Sequence, residues 1–402
     1  MAIIVQKFGG TSVGSPERIE AVAEQIIKTR AQGHQVVVIL SAMSGETNRL
    51  TDLATQIDPT PSGRELDMLL SSGEQVSIAL LAIALIKRGH SAVSLLAHQV
   101  GINTNNRFNK ARILSIDNTR MLIELQQGHV VIVAGFQGQD HEGNITTLGR
   151  GGSDTSAVAI ATALQAKECQ IFTDVDGVYT TDPRIDKNAK KLARLTFEEM
   201  LEMASSGAKV LHSRSVEYAG KFKMPLRVLS SFEPGEGTQI DFLHDPQVDH
   251  PVTAITAQRD EVFVEITYPK FNSDFYIQLF KALAKADIEV DMLSQHQMGS
   301  KAFLSFTIAR ADLTLCDQCL TQIMDNNLDI DVNIHTSLAK ISAIGNGMRS
   351  HTGVLSTFTS TLNEHGVEML NFANAQIKIS ALVHDKDVEK AVQVLHNRFK
   401  LG

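Results

Sequence analysis

The order of elements in the first forty residues most constrains the fold. Residues 3–8 and 36–40 are apolar, β-branched runs, and Ser15-Pro16-Glu17 between them has the residue types that begin a helix. A strand, a helix and a strand in this order predict two parallel strands that are buried on both faces.

The alternation continues along the first 245 residues. The predicted elements are a strand at 130–136, an alanine-rich helix at 153–165, a strand at 171–173, a helix at 197–204 and a last strand at 225–229. Residues 231–251 are rich in Pro, Gly, Asp and His, which is typical of a connection. We predict one three-layer α/β domain over residues 1–245.

The C-terminal part repeats one pattern at a constant spacing of 79 residues. The matching positions are Leu279, Leu283, Ile288, Glu289 and Val290, then Phe358, Leu362, Val367, Glu368 and Met369. Strand-like runs precede and follow each copy. This order predicts two ferredoxin-like (βαββαβ) modules, residues 250–335 and 336–402.

Charge and cysteine content narrow the class of protein. The formal net charge is −8, whereas proteins that bind nucleic acid or anionic membranes are usually basic. The apolar residues 77–86 are too few to span a membrane and predict a buried helix.

Three cysteines favour a reducing compartment, so we expect a cytoplasmic protein. Cys316 and Cys319 form a CxxC motif. We expect them to be two small, partly buried side chains, and a redox or metal-binding role is the alternative.

Two glycine loops stand where a strand gives way to a helix. In the first, Lys7 precedes Gly9 and Gly10, so the loop is neither a Walker A nor a GxGxxG motif. In the second, Arg150 and Asp154 flank consecutive glycines. Glycines let backbone N–H groups approach an anion, and a helix N-terminus attracts negative charge. Arginine can hold a carboxylate by two parallel hydrogen bonds.

A third loop, residues 173–184, carries several aspartates after a strand. Calcium binding is the alternative here, but Gly177 directly follows the second acid and no glutamate closes an EF-hand loop. A nucleotide-holding loop at the carboxyl end of a strand fits better.

These loops resemble the active-site segments of the aspartokinase family, in the family's order. The matching segments are residues 7–12 (KFGGTS), 41–47 (SAMSGET), 72–75 (SGEQ), 146–156 (TTLGRGGSDTS), 173–184 (TDVDGVYTTDPR) and 207–212 (GAKVLH). The C-terminal repeats resemble paired ACT modules. The resemblance covers essentially the whole chain, and implies an amino-acid-kinase-like domain followed by two ACT modules.

The resemblance implies ATP-dependent phosphorylation of the L-aspartate side chain to 4-phospho-L-aspartate, the first step towards lysine, threonine and methionine. That carboxylate ordinarily has a pKa of about 3.9 and needs no general base. The barrier lies in bringing two anions together, so catalysis requires cations, backbone donors and Mg²⁺ on the ATP phosphates.

The resemblance also implies a role for each matching residue. Lys7 contacts the transferred phosphoryl group, and Asp154 orients Lys7 or the phosphate-bound metal. Arg150 binds the α-carboxylate of aspartate and Glu74 its α-ammonium group. The other implied substrate contacts are Ser41, Thr47, Gly151 and Ser153. The implied nucleotide contacts are Lys7, Gly9, Gly10, Thr11, Ser12, Thr173, Asp174, Tyr179, Asp182, Arg184, Lys209 and Val210, with no protein group directly on the metal.

In this family the ACT pair binds end-product amino acids between chains, which implies a homodimer or larger homo-oligomer. The matching regulatory positions are Met348, Gly353, Val354, Asn374 and Gln376. Residues 268–273 lack the glycine of the family's Asp-x-x-Gly turn, and Asn374-Ala375-Gln376 replaces Thr-Ser-Glu. We therefore expect a weakened or altered response to effectors.

Two other functions stay open from the sequence. The chain could be a related kinase acting on glutamate, acetylglutamate, carbamate or a nucleotide, although the two glycine loops together favour aspartate. It could also be a non-catalytic amino-acid sensor, against which the intact Lys7, Arg150 and Asp154 argue.

Overall fold

The computed structural model describes residues 2–243, 250–268, 273–299, 301–324 and 330–402, which form two compact units. The first unit comprises Met1–Val178, Lys191–Ser205 and Lys209–Gln247. The second comprises Tyr179–Lys190, Ser206–Ala208 and Val248–Gly402.

The first unit alternates strands and helices, as predicted. Its strands are β1 (Ile3–Phe8), β2 (Gln35–Leu40), β3 (Ala92–Leu95), β4 (Ile102–Thr104), β5 (Ile113–Ile116), β6 (Val130–Ala134), β7 (Gln137–Gln139), β8 (Ile145–Thr147), β9 (Glu168–Thr173), β10 (Arg194–Thr196), β11 (Leu226–Ser230) and β12 (Thr238–Asp241). Its helices are α1 (Pro16–Ala31), α2 (Glu46–Ile57), α3 (Arg64–Leu70), α4 (Ser72–Lys87), α5 (Thr119–Gln126), α6 (Gly152–Ala163), α7 (Phe197–Ser205) and α8 (Ser213–Phe222).

An eight-stranded sheet in the order β10-β12-β11-β9-β1-β2-β6-β3 forms the middle layer. The six strands from β11 to β3 pair in parallel, so their carboxyl ends meet at one edge. β12 runs antiparallel to β11, and β10 is parallel to β12. A smaller sheet has the order β5-β4-β7-β8.

The predicted βαβ unit at the N-terminus is confirmed. Ser15 accepts the Arg18 N–H at 3.3 Å as the N-cap of α1, and Pro16 opens the helix. Residues 36–40 of β2 are fully buried, as expected of a central parallel strand. Alternate residues of β2 pack against α1 and α4, and Ile39 lies on the α6 side of the sheet. Helices on both faces give the three predicted layers.

The predicted buried helix at 77–86 lies within α4, where Leu81 and Leu85 have no exposed surface. The stretch Arg64–Lys87 is long and apolar enough to cross a membrane by length and composition alone. More than half of its most apolar window (56%) is, however, buried inside the protein, as in the core helix of a globular fold.

Two predictions for the first unit were wrong. Residues 225–229 are not the last strand, because β12 follows inside the segment that we interpreted as a connection. β12 was missed because it has four residues and follows a Pro/Gly-rich turn. β6 ends at Ala134 instead of residue 136, since Phe136 has a φ of 68°, outside the β region.

The second unit contains one six-stranded sheet in the order β14-β15-β13-β16-β18-β17. Its strands are β13 (Ala254–Tyr268), β14 (Asp291–Met298), β15 (Lys301–Ala309), β16 (Asp331–Ile344), β17 (Asn371–Asn374) and β18 (Lys378–His384). Its helices are α9 (Ser273–Lys285), α10 (Leu313–Met324), α11 (Val354–Glu364) and α12 (Val388–Arg398).

The two predicted modules share their longest strands. β13 pairs with β16 from Ala254 opposite Ile344 to Thr267 opposite Asp331, with irregularities near Glu261. One half of this ladder carries a core with α9 and α10, and the other a core with α11 and α12. The boundary that we placed between residues 335 and 336 lies inside β16, so the modules are not joined by a linker.

Candidate active site

The candidate site lies at the carboxyl edge of the parallel strands. Phe8 of β1 lies opposite Leu40 of β2 and Phe172 of β9. The first glycine loop, Ser41 and Thr173 therefore follow neighbouring strands at the same edge. Loops at this edge of an open α/β sheet are where such folds bind ligands.

Lys7 and Asp154 form an ion pair. The Lys7 Nζ lies 2.6 Å from Asp154 Oδ1, and the side chains are only 12% and 13% exposed. Lys7 comes from β1 and Asp154 from the first turn of α6, so two rigid elements fix the pair. An ammonium shielded from bulk water interacts with an anion more strongly than an exposed one.

The first glycine loop approaches other backbone closely. A side chain on Gly10 would place its Cβ 3.0 Å from the Ala42 carbonyl oxygen, and one on Gly9 would contact the Lys7 ammonium. Thr11 is exposed. The prediction for Ser12 needs correction, because this side chain is fully buried and its hydroxyl lies 2.6 Å from that of Ser231. Ser12 supports the loop and does not face a ligand.

Glu74 is a buried carboxylate with an unused oxygen. It stands in the first turn of α4 with 2% exposure, and its Oε1 accepts the Ala42 N–H at 3.2 Å. Among the described residues its Oε2 has no hydrogen-bond partner. Burial raises the pKa of Glu74 to about 8. A buried carboxylate with an unused oxygen can pair with a cation.

Ser41 and Thr47 lie on the same side of the fold as Glu74. The Ser41 N–H donates to the Phe8 carbonyl at 3.2 Å, and its own carbonyl accepts the Ser77 hydroxyl of α4 at 2.8 Å. Thr47 is exposed in the first turn of α2. These contacts connect the end of β2 with α4.

The second glycine loop requires its glycines. Gly149 and Gly151 have φ values of 75° and 68°, and a Cβ on Gly151 would lie 2.3 Å from His212 Cγ. Gly151 is the N-cap of α6, so the helix follows directly, as predicted. Arg150 is exposed between these glycines, and the Ser153 side chain is buried.

Asp67 is a site-supporting residue that we missed. Its carboxylate is fully buried in α3 and accepts hydrogen bonds from both the backbone N–H (2.8 Å) and the hydroxyl (2.6 Å) of Thr147 and from the backbone of Asn109 (3.0 Å). Thr147 ends the strand before the second glycine loop. An acid among the apolar residues of a short helix was the available signal.

Residues 209–214 contact the second glycine loop. The Arg214 guanidinium donates to the Leu148 carbonyl at 2.7 Å, and the His212 ring lies beside Gly151. The predicted nucleotide contacts Lys209 and Val210 precede this contact by a few residues, and Lys209 is exposed. Sequence reasoning included His212 only as part of a matching segment and missed Arg214, because their contacts join distant parts of the chain.

The third loop is divided between the two units after Val178. In the first unit, the Thr173 hydroxyl donates to the exposed Asp174 at 3.0 Å. Tyr179, Asp182 and Arg184 belong to the second unit, where the guanidinium donates to the Asp182 carboxylate at 2.7 Å. That hydrogen bond lowers the pKa of Asp182. The structure therefore does not bring all predicted nucleotide contacts into one unit.

Among the predicted regulatory positions, Val354 needs correction. Its side chain is buried in the core between α11 and α12, so it cannot face a ligand. Gly353, Asn374 and Gln376 are exposed, and Met348 is half-buried. Residues 269–272, in which we noted the missing glycine, lie outside the described residues.

The CxxC does not have the features of a redox or metal site. Burial raises the pKa of Cys316 to about 12, so the thiol stays protonated, and Cys319 is half-buried on the same helix. Within the described ranges, no three His, Cys, Asp or Glu side chains are grouped to hold a metal ion.

The chain is similar to known proteins over its full length. Residues 2–230 match the amino acid kinase family and residues 341–399 match the ACT domain. An aspartate kinase of Stutzerimonas stutzeri is 49% identical over 403 residues, covering 100% of this chain and 98% of the relative. An aspartokinase of Geobacillus stearothermophilus is 46% identical, with the same coverage of both chains.

The fold is also similar to solved structures. E. coli aspartokinase III in complex with aspartate and ADP has a TM-score of 0.84 at 27% identity, covering 98% of this chain and 99% of that one. The same enzyme in complex with lysine and aspartate has a TM-score of 0.75 at 28% identity, covering 99% of each chain.

Proposed function

The chain belongs to the aspartokinase family, and from this premise we propose that it transfers the γ-phosphoryl group of ATP to the side-chain carboxylate of L-aspartate at the Lys7–Asp154 site. The product is 4-phospho-L-aspartate, an acyl phosphate. The observation that carries the proposal is the shielded Lys7–Asp154 pair at the carboxyl edge of parallel strands.

Catalysis depends on positioning and charge. The aspartate carboxylate is ionised at neutral pH and attacks the γ-phosphorus directly, while ADP leaves with the electron pair of the broken P–O bond. Lys7 offsets the negative charge that gathers on the transferred group. Asp154 holds the ammonium in place at 2.6 Å, so little reorganisation is needed during transfer.

Substrate selection comes from the amino-acid end of aspartate. Arg150 receives the α-carboxylate, and the free Oε2 of Glu74 receives the α-ammonium group. Ser41, Thr47 and the N-terminal turn of α6, with Gly151 and Ser153, supply further hydrogen bonds. An unused carboxylate oxygen in an apolar position is costly unless a ligand pairs with it, which supports this role for Glu74.

ATP enters as its Mg²⁺ complex, and the metal is carried by the phosphates. The backbone of Gly9, Gly10 and Thr11 lies beside Lys7 and supports phosphate binding. Thr173, Asp174, Lys209 and Val210 are the proposed nucleotide contacts in the first unit. Tyr179, Asp182 and Arg184 are those in the second.

The reaction is tested by trapping the product. Hydroxylamine converts an acyl phosphate into a hydroxamate, which is measured with ATP, Mg²⁺ and a panel of aspartate, glutamate, acetylglutamate and carbamate. Hydroxamate with aspartate alone is expected. A signal with another acceptor would favour a related kinase, and none with any acceptor would favour an amino-acid sensor.

Replacing Arg150 by lysine is expected to raise the KM for aspartate about tenfold and to leave the KM for ATP unchanged. Lysine keeps the charge but cannot form two parallel hydrogen bonds to a carboxylate. Steady-state kinetics with each substrate varied in turn measures the effect. An equal rise in both KM values would contradict a specific contact to aspartate.

We propose that feedback control is retained in a weakened or altered form. Asn374 ends the edge strand β17 and Gln376 follows it, and both are exposed. Their amide groups replace the hydroxyl and carboxylate that we expected from the family. An inhibition titration with lysine and threonine, singly and together, is expected to leave most activity at physiological concentrations. Strong inhibition by either amino acid would contradict the proposal.

The enzyme is proposed to be a cytoplasmic homodimer or larger homo-oligomer. β14 and β17 are the two edge strands of the second unit's sheet, and strand edges can pair with a second chain. The relative that has been solved with lysine supports amino-acid effectors as further ligands.

A further inference from the structure

The C-terminal helix α12 holds the segment Tyr179–Lys190, which is proposed above to contact ATP. The Gln393 side-chain amide of α12 donates to the Ile185 carbonyl at 2.8 Å. The Ile255 N–H, from the start of β13, donates to the Thr180 carbonyl at 2.8 Å. The segment is thus fixed within the second unit by residues that are distant in sequence.

His396 forms the central contact of this arrangement. Its side chain has no exposed surface. Nδ1 lies 3.0 Å from an Asp186 carboxylate oxygen, and Nε2 lies 2.9 Å from the Thr180 hydroxyl oxygen. Asp186 and Thr180 are themselves only 5% exposed. One imidazole therefore bridges two points that are six residues apart in the segment.

The hydrogen bond at Nε2 favours one tautomer of His396. The Thr180 hydroxyl oxygen accepts the Lys190 N–H at 3.0 Å, so its proton is available to Nε2. Nδ1 then carries the ring proton and faces the Asp186 carboxylate. Burial lowers the pKa of His396, although Asp186 opposes this shift, which agrees with a neutral ring. Nε2 has the Thr180 hydroxyl as its hydrogen-bond partner, whereas Nδ1 and the nearest Asp186 oxygen are in close polar contact at 3.0 Å without hydrogen-bond geometry.

The two bridged residues enclose the turn that contains Asp182 and Arg184. Asp182 organises this turn, since its carbonyl accepts the Ile185 and Asp186 N–H groups at 2.9 and 3.0 Å. Thr180 stands just before the turn and Asp186 just after it. Fixing both ends restricts the directions that Tyr179 and Arg184 can take.

We propose that His396 is a positioning residue for ATP binding, acting through Thr180 and Asp186 on the turn that contains Asp182 and Arg184. This inference rests on the proposed nucleotide contacts of that turn. An apolar side chain would fill the same space without the cost of burying polar groups. Polar contacts at both ring nitrogens restrict the imidazole to one geometry, which packing alone does less well.

The test compares three substitutions at His396 by steady-state kinetics. His396→Leu removes the hydrogen bond to Thr180 and the polar contact with Asp186, and is expected to raise the KM for ATP about tenfold, with the KM for aspartate within about twofold of the parent value. His396→Asn keeps a group near the Nδ1 position, and His396→Gln one near Nε2. Each is expected to restore part of the ATP affinity.

Two controls separate positioning from general destabilisation. Val392→Ala, in the same helix, opens a cavity in the core but leaves the polar contacts of His396 and Gln393 in place, and its Tm should fall with little change in the KM for ATP. Arg184→Ala tests the turn directly.

The outcomes distinguish a positioning role of His396, a contact of the turn with ATP and a merely structural role of His396. A raised KM for ATP in Arg184→Ala but not in His396→Leu would overturn the role of His396 alone. Unchanged values in both variants would overturn the nucleotide contact of the turn as well. Equal changes in both KM values, or the same change in Val392→Ala, would assign His396 a merely structural role.

Discussion

Replacing Lys7 by methionine is expected to lower kcat about a thousandfold while the KM values for ATP and aspartate change little. Methionine fills a similar volume but carries no charge to offset the anionic transition state. Because Lys7 lies within 2.6 Å of Asp154 and is largely shielded from water, no exposed cation can replace it. Hydroxamate formation under saturating substrates measures the loss. Normal turnover would remove Lys7 from the mechanism.

The matched control for this variant addresses stability. Removing Lys7 leaves the Asp154 carboxylate unpaired and only 13% exposed, which is expected to cost about 2 kcal/mol of unfolding free energy. Adding Asp154→Asn should recover most of this stability without recovering kcat. Recovery of both would mean that the loss of activity came from unfolding.

Replacing Glu74 by glutamine is expected to raise the KM for aspartate about fiftyfold at pH 9, because a charge-assisted hydrogen bond to the ammonium group is lost. In the parent enzyme the same KM should fall as pH rises from 7 to 9. Burial places the pKa of Glu74 at about 8, so at pH 7 only about one carboxyl in ten is ionised to receive a cation. The glutamine variant should lack this dependence.

Ionisation of Glu74 improves the binding of aspartate as pH rises, but it lowers the stability of the folded protein. The folded pKa of Glu74 lies above the ordinary value of 4.5, so its stabilising contribution is present below pH 4.5 and is lost as pH rises through about 8. Glutamine keeps the acceptor for Ala42 and does not ionise, so its Tm at pH 9 should equal or exceed that of the parent. A lower Tm together with a raised KM would indicate damage to α4.

Local signals in the sequence were sufficient for much of the first unit. The start of α1 was predicted from Ser15 and Pro16, and β2 from its apolar run, because these elements follow from nearby residues. Lys7 and Asp154 could be selected because each flanks a glycine loop. The resemblance to a family implied that they act together, whereas their ion pair depends on how β1 and α6 pack.

Long-range contacts explain what could not be predicted. Asp67 bonds with Thr147, 80 residues away, and no periodicity indicates such a partner. The bridge from His396 to Thr180 spans 216 residues. The repeat of 79 residues predicted a strand, a helix and two strands in each module, as found. The final strand predicted for the second module is absent from the described residues that follow α12, and the start of β13 pairs with β16 there instead, because pairing between strands is not encoded in the order of elements.

The continuous β13–β16 ladder has a consequence for any attempt to dissect this tail. A fragment cut at residue 336 would start inside a strand and would lack the Ala254–Gln258 backbone that hydrogen-bonds with Lys340–Ile344. Its unpaired ladder would be open to association with other chains. The tail therefore contains two sequence repeats but is expected to unfold as one cooperative unit.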